Sequence, residues 1–130
     1  MNIKKFLLAW SPALALMITI FFLSSRQRIA VSEEFAINFI VFKSLHVIEY
    51  ATLFFLVFRG YYRTFSHKNM NKIYGYAIVT TFLYAVSDEV HQTFVPTRTG
   101  TVRDVFIDSI GILLCFQYTK MYLAKLKIFL

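Results

Sequence analysis

Seven of the chain's ten Asp, Glu and His residues fall in two segments: His46 and Glu49 in KSLHVIEY, and Asp88, Glu89, His91, Asp104 and Asp108 in AVSDEVHQTFVPTRTGTVRDVFIDSIG. Both segments lie inside, or at the mouth of, long apolar runs. A titratable side chain in such a run is costly in hydrocarbon, so it is normally paired within a bundle or retained for function. Imidazoles and carboxylates placed this way suit acid–base chemistry, with His46, Asp88, Glu89, His91 and Asp104 as the candidate catalytic groups. Lys43, Arg98 and Arg103 accompany them and suit a phosphate or carboxylate, arginine being the better two-pronged donor. The candidate ligand-binding set is therefore Lys43, His46, Glu49, Tyr50, Asp88, Glu89, His91, Gln92, Arg98, Arg103, Asp104 and Asp108. A competing reading is that Lys43 pairs with Glu49 or Asp88, and Arg98 or Arg103 with Asp104, only to fix helix packing. The number of ionisable groups exceeds what registry needs in so small a protein, and this favours a site.

His46 and His91 with Asp88, Glu89, Asp104 and Asp108 could hold zinc, manganese or iron by ligand type. Their spacing matches no dedicated metal motif such as His-Glu-x-x-His, so no metal site and no cofactor is assigned from sequence. Ser87 and Ser109 lack a nucleophile-elbow context. Cys115 lies in an apolar stretch and reads as packing.

The elements that must position these groups follow from composition. The 130 residues allow one domain, and 58% are hydrophobic, 18% aromatic and 16% charged, with mean hydropathy +0.58. Charge this sparse and apolar runs this long indicate membrane spans. One cysteine excludes an internal disulfide framework and a cysteine-rich zinc site. The net charge of +7 comes from basic residues at the ends of apolar runs, which membrane topology explains better than nucleic acid does.

The expected fold is all-α: an integral membrane bundle of four transmembrane helices, with both termini cytoplasmic. The first span covers about 6–23, and it is longer than the apolar core of a signal peptide. Ser32 is a plausible N-cap with Glu33 and Glu34 in the first helical turn. Phe35 to Phe42 either lies along the interface or runs straight into a second span of about 39–58, roughly 30 Å of helix. A basic loop from Arg59 to Lys72 follows, containing Arg63, His67 and Lys68. The third span covers about 73–94 and is terminated by Pro96. The fourth covers about 104–122.

Lys4 and Lys5, the loop from Arg59 to Lys72, and the tail with Lys120, Lys125 and Lys127 fall on one side, which the positive-inside rule makes cytoplasmic. Arg26, Arg28, Arg98 and Arg103 lie in the other loops. This topology brings three sequence-distant polar clusters to one depth at the outer end of the bundle. Lys43, His46 and Tyr50 share a helix face, as do Asp88, His91 and Gln92. Asp104, Asp108, Gly111 and Cys115 form a third stripe, where Gly111 permits close helix approach. Glu89 points about 100° from Asp88 and should have different partners.

These residues resemble a known family. DEVHQTFVPTRTGTVRDVFIDSIG is similar to the signature of VanZ-like membrane proteins, named for the teicoplanin-resistance protein. The pattern falls on Asp88, Glu89, Gln92, Arg98, Asp104, Asp108 and Gly111, and an upstream Lys-x-x-His-x-x-x-Tyr falls on Lys43, His46 and Tyr50. Thr97 stands where the family commonly has Gly. The resemblance spans about Lys43 to Gly111. It implies a multi-pass protein of the bacterial cell membrane and envelope, with antibiotic resistance of the teicoplanin type in some members, while the topology turns the polar site outward. The partners it implies are bilayer lipid and a lipid-linked envelope precursor or glycopeptide antibiotic, with no nucleic acid. The other reading is an intramembrane hydrolase or transferase acting on an envelope lipid.

Overall fold

The computed structural model describes residues 2–27, 33–65 and 69–130. Among these residues there are four helices and no strand: α1 (Ile3–Ser24), α2 (Phe35–Thr64), α3 (Met70–Gln92) and α4 (Val102–Leu126). The Ser32 N-cap, Arg28, His67 and Lys68 lie outside the described residues.

α2 is the axis of the bundle and packs on each of the other three helices, most extensively on α4. Tyr50, Leu53, Phe54, Val57 and Phe58 are fully buried along it. Their spacing of three and four residues forms one apolar stripe. Ile73, Tyr74 and Ala77 of α3 and Ile112 of α4 close this core. Phe58 stacks on Tyr74 with ring centroids 4.9 Å apart, and Phe116 meets Tyr74 edge-on at 5.3 Å. α1 approaches through the small buried residues Ala9 and Ala13, and its Trp10 indole donates to Thr64 Oγ1 at 3.0 Å.

Helix ends follow local chemistry. The Asn2 side chain accepts from Lys4 N, that of Asn69 from Asn71 N, and that of Thr101 from Asp104 N. Each satisfies a backbone donor the helix itself leaves open. Several sequence-based boundaries change. Glu33 and Glu34 precede α2 rather than occupying its first turn, and Glu34 is the N-cap residue. Phe35 to Phe42 runs straight into the second helix, whose 30 residues extend through Arg59 and Arg63. The basic connection is accordingly shorter than the Arg59–Lys72 expected. α3 ends at Gln92, four residues before Pro96, in successive turns in which Phe94 N donates to His91 O and Val95 N to Gln92 O. α4 kinks at Tyr122, where φ is −109° and ψ 19°.

α1 and α2 are each long and apolar enough to cross a membrane on length and hydropathy alone. α3 and α4 carry the polar stripe, yet they also expose Leu83, Ile110 and Leu114. An apolar exterior this extensive is unfavourable in water and natural against lipid.

Gly111 fixes how closely α2 and α4 approach, because a Cβ there would collide with the Val47 carbonyl. Gly111→Ala is expected to destabilise the bundle by about 1–3 kcal/mol, the usual cost of overpacking. Gly75→Ala, with nothing within 4 Å of the added carbon, should be neutral or stabilising by up to about 1 kcal/mol. Thermal unfolding of both variants in detergent checks this, and an unaffected Gly111→Ala would mean that the two helices do not meet at Val47.

Candidate functional site

Three helices deliver their polar stripes to one end of the bundle. On α2, Lys43, His46 and Tyr50 lie at intervals of three and four, and each finds a different carboxylate. Lys43 Nζ is 2.8 Å from Asp104 Oδ2. His46 Nδ1 is 3.2 Å from Asp108 Oδ1, and the Tyr50 hydroxyl donates to Asp88 Oδ2 at 3.2 Å. The sequence-based pairing of Lys43 with Glu49 or Asp88 is therefore replaced by Lys43 with Asp104. The two α2–α4 contacts sit one turn apart on both helices, directly above the Gly111 approach.

α3 supplies the middle of the cluster. Gln92 donates through Nε2 to Asp88 Oδ2 at 3.0 Å and to Glu89 Oε1 at 3.2 Å. The other Glu89 oxygen accepts from Thr101 N at 3.0 Å. Asp88 and Glu89 thus share one donor and otherwise have different partners, Tyr50 and the backbone before α4. Gly100 makes the latter contact possible, since a Cβ at that position would strike the Glu89 carbonyl.

Asp88, Glu89, Asp104 and Asp108 are 4%, 4%, 7% and 0% exposed. Asp88 Oδ1, Asp104 Oδ1 and Asp108 Oδ2 are buried without a hydrogen-bond partner. For Asp104 Oδ1 there is an ionic neighbour, Arg103 Nε at 3.6 Å. Buried carboxylate oxygens left open are costly, and each calls for an explanation.

Arg98 ties the cluster to α1. It donates to Gln92 Oε1 at 3.3 Å, to Arg26 O at 2.7 Å and to Leu23 O at 2.9 Å. The last two are carbonyls at the carboxyl end of α1, where a cation also complements the helix dipole. Arg103 is largely exposed and lies over the Phe39 ring at 5.1 Å.

Two clefts open beside this cluster. One, of about 250 Å³, is lined by Lys43, Arg98, Arg103 and Asp104 and by the rings of Phe35 and Phe39. The other, of about 230 Å³, is more apolar and lies between α1 and α2, with Ile20, Leu23, Leu45, Glu49 and Asp88 in its wall. Phe42, His46 and Arg98 line both.

Of the residues singled out from sequence, His91 is the one placed elsewhere. Its Nε2 is 2.9 Å from Ser25 Oγ, and its ring lies 4.6 Å from that of Phe21. It faces α1, and the carboxylates are gathered around His46 instead. Sequence reading missed Thr101, Gly100 and the phenylalanines of the cleft. Phe35, Phe39 and Phe42 do carry a signal, a spacing of four and three that becomes a face once the segment is helical.

The family model described as VanZ/LLP1 matches residues 8–122. No curated protein matches, and no solved structure does. The match takes in α2 and α3 whole and most of α1 and α4, and the chain belongs to the VanZ/LLP1 family.

The two histidines should behave differently on substitution. His46→Ala leaves Asp108 buried without its partner and is expected to cost about 1–3 kcal/mol of stability. His91→Gln, at the α1 surface, should stay within about 0.5 kcal/mol of the parent. Thermal melts of both proteins test the assignment, and the reverse order would place the essential imidazole on α3.

Proposed function

We propose that this VanZ/LLP1 family member is a multi-pass membrane protein whose polar cleft recognises an anionic headgroup at the outer face of the bilayer. The observation that carries the reading is the cleft itself: three cations, Lys43, Arg98 and Arg103, line one space together with Phe35, Phe39 and Phe42. Guanidinium and ammonium groups suit phosphate, and aromatic walls suit the glycerol or acyl portion beside it. Lys43 is held by Asp104 at 2.8 Å. Asp104 therefore acts as a place-holder for an incoming anion, and Arg103, 3.6 Å away, is the cation left to it after the exchange. A lipid-linked envelope headgroup fits this chemistry, and a glycopeptide antibiotic that binds such a precursor is the alternative ligand.

A second reading has one observation in its favour. His46 touches both clefts and is backed by the buried Asp108. An oriented imidazole of this kind serves acid–base catalysis, so the same cleft suits hydrolysis or transfer at a headgroup.

Orientation follows from charge, with the connection near Asn69 cytoplasmic and that near Thr99 outside. In a Cys115→Ser background, Thr99→Cys should react with a membrane-impermeant maleimide on intact cells, and Asn71→Cys only after permeabilisation. The opposite labelling pattern would turn the cleft inward.

Ligand class is tested by thermal stabilisation of the purified protein. The panel is phosphatidylglycerol, phosphatidylcholine, a polyprenyl pyrophosphate, inorganic pyrophosphate and teicoplanin, since a ligand for the folded state raises its melting temperature. Anionic lipids should stabilise and phosphatidylcholine should not, and Lys43→Met should weaken binding by about tenfold, the loss of one charge-assisted contact. Stabilisation by teicoplanin alone would favour the antibiotic. No response to any anion, in a protein that unfolds cooperatively, would end the headgroup reading.

A further inference from the structure

Below the cations of the cleft, one ring nitrogen of His46 and one carboxylate oxygen each of Glu89 and Asp108 lie within 4.8 Å of one another. The three residues come from α2, α3 and α4, so the bundle itself converges them. Their direct partners are neutral or shared within the group. Glu89 accepts from the Gln92 amide and Thr101 N, while Asp108 meets His46. Of the cations at this end, Lys43 and Arg103 go to Asp104, and Arg98 bonds Gln92 Oε1 and the carbonyls of Leu23 and Arg26. Asp108 is fully buried and its Oδ2 has no partner, so the carboxylate that meets His46 through Oδ1 keeps a second, buried oxygen open.

We propose that His46, Glu89 and Asp108 form a binding site for a divalent transition-metal cation of the zinc or manganese type. One imidazole and two carboxylates are the ligand types such ions take. Facing helices that each project a Glu, Asp or His inward are a known way to build a metal site in a bundle core. A bound cation neutralises carboxylates that are otherwise buried with few positive partners, and it satisfies the open oxygen of Asp108. Three protein ligands leave one or more coordination positions open, and His46 lines both clefts. The ion therefore stands beside the space assigned above to the headgroup, although the site rests on its own geometry and not on that assignment.

The test is metal content of the full chain, purified in detergent without chelator from cells grown with zinc and manganese, measured by inductively coupled plasma mass spectrometry. The expected result is a stoichiometric divalent metal, a fall in melting temperature with EDTA, and recovery when zinc or manganese is returned. Glu89→Gln keeps an acceptor for Thr101 N and should fold, with metal affinity reduced tenfold or more. Asp108→Asn should act in the same direction. Lys43→Met should keep the metal while binding anionic lipid about tenfold more weakly, which separates this site from the headgroup reading. Metal-free protein whose melting is indifferent to EDTA and to added metal would overturn the proposal. Full metal content in Glu89→Gln would overturn it equally.

Discussion

Desolvation of four carboxylates at one end of an apolar bundle sets the terms for the rest of this structure. Asp88, Glu89, Asp104 and Asp108 are all less than a tenth exposed. An ionised carboxylate left alone in such surroundings is too costly to keep, so each must be met by donors from other elements. Asp104 draws Lys43 from α2, and Asp108 draws His46 from the same face. Asp88 draws Tyr50, and Glu89 draws the backbone before α4. The acids therefore hold three helices and the loop after α3 in one arrangement, and the clefts are what remains between them.

The other half of the bundle obeys a different rule. There the core is aromatic and aliphatic, built on Leu53, Phe54, Val57 and Phe58, and apolar packing is tolerant of small shifts in register. What removes that tolerance is Gly111, whose contact with the Val47 backbone fixes the separation of α2 and α4 below the ionic rungs. At the far end Arg59 donates to Ala9 O at 3.2 Å and Arg63 to Leu130 O, joining α1 and the last residues to α2. Polar contacts thus bracket an apolar middle, and the polar end that is rich in acids is the one with the two clefts beside it.

Much of this was legible in the sequence because helical period is a strong signal. Lys43, His46 and Tyr50 share a face whatever they meet, and so do Asp104, Asp108 and Gly111. Period alone does not say which carboxylate a cation reaches. Lys43 with Asp104 depends on the stagger of α2 against α4, which the period within either helix does not encode. His91 shows the same limit. It lies between the stripe of Asp88 and Gln92 and the neighbouring α1, and a ring on that border turns to whichever helix is closer, here to Ser25. Boundaries failed where charge was taken for loop, since Arg59 and Arg63 lie on α2. Thr97 departs from the glycine of the VanZ-like pattern, and its φ of 69° explains why glycine suits that position. A β-branched residue in the left-handed region costs about 1–2 kcal/mol.

The charges at this end form two layers, and the order matters. Arg103 and Lys43 stand at the cleft, with side-chain exposures of 65% and 14%, while Glu89 and Asp108 lie beneath. An anion approaching from the cleft meets cations first, and a cation reaching the lower layer meets carboxylates and an imidazole. Because Lys43 is also a rung between α2 and α4, an anion that takes Lys43 from Asp104 competes with a contact that registers the two helices. The lower rung, His46 with Asp108, and the Gly111 contact are untouched by that exchange. Such an exchange would move one charge-assisted contact of Lys43 at the mouth of the bundle and leave Asp104 to Arg103, while the seam below keeps the lower layer in place.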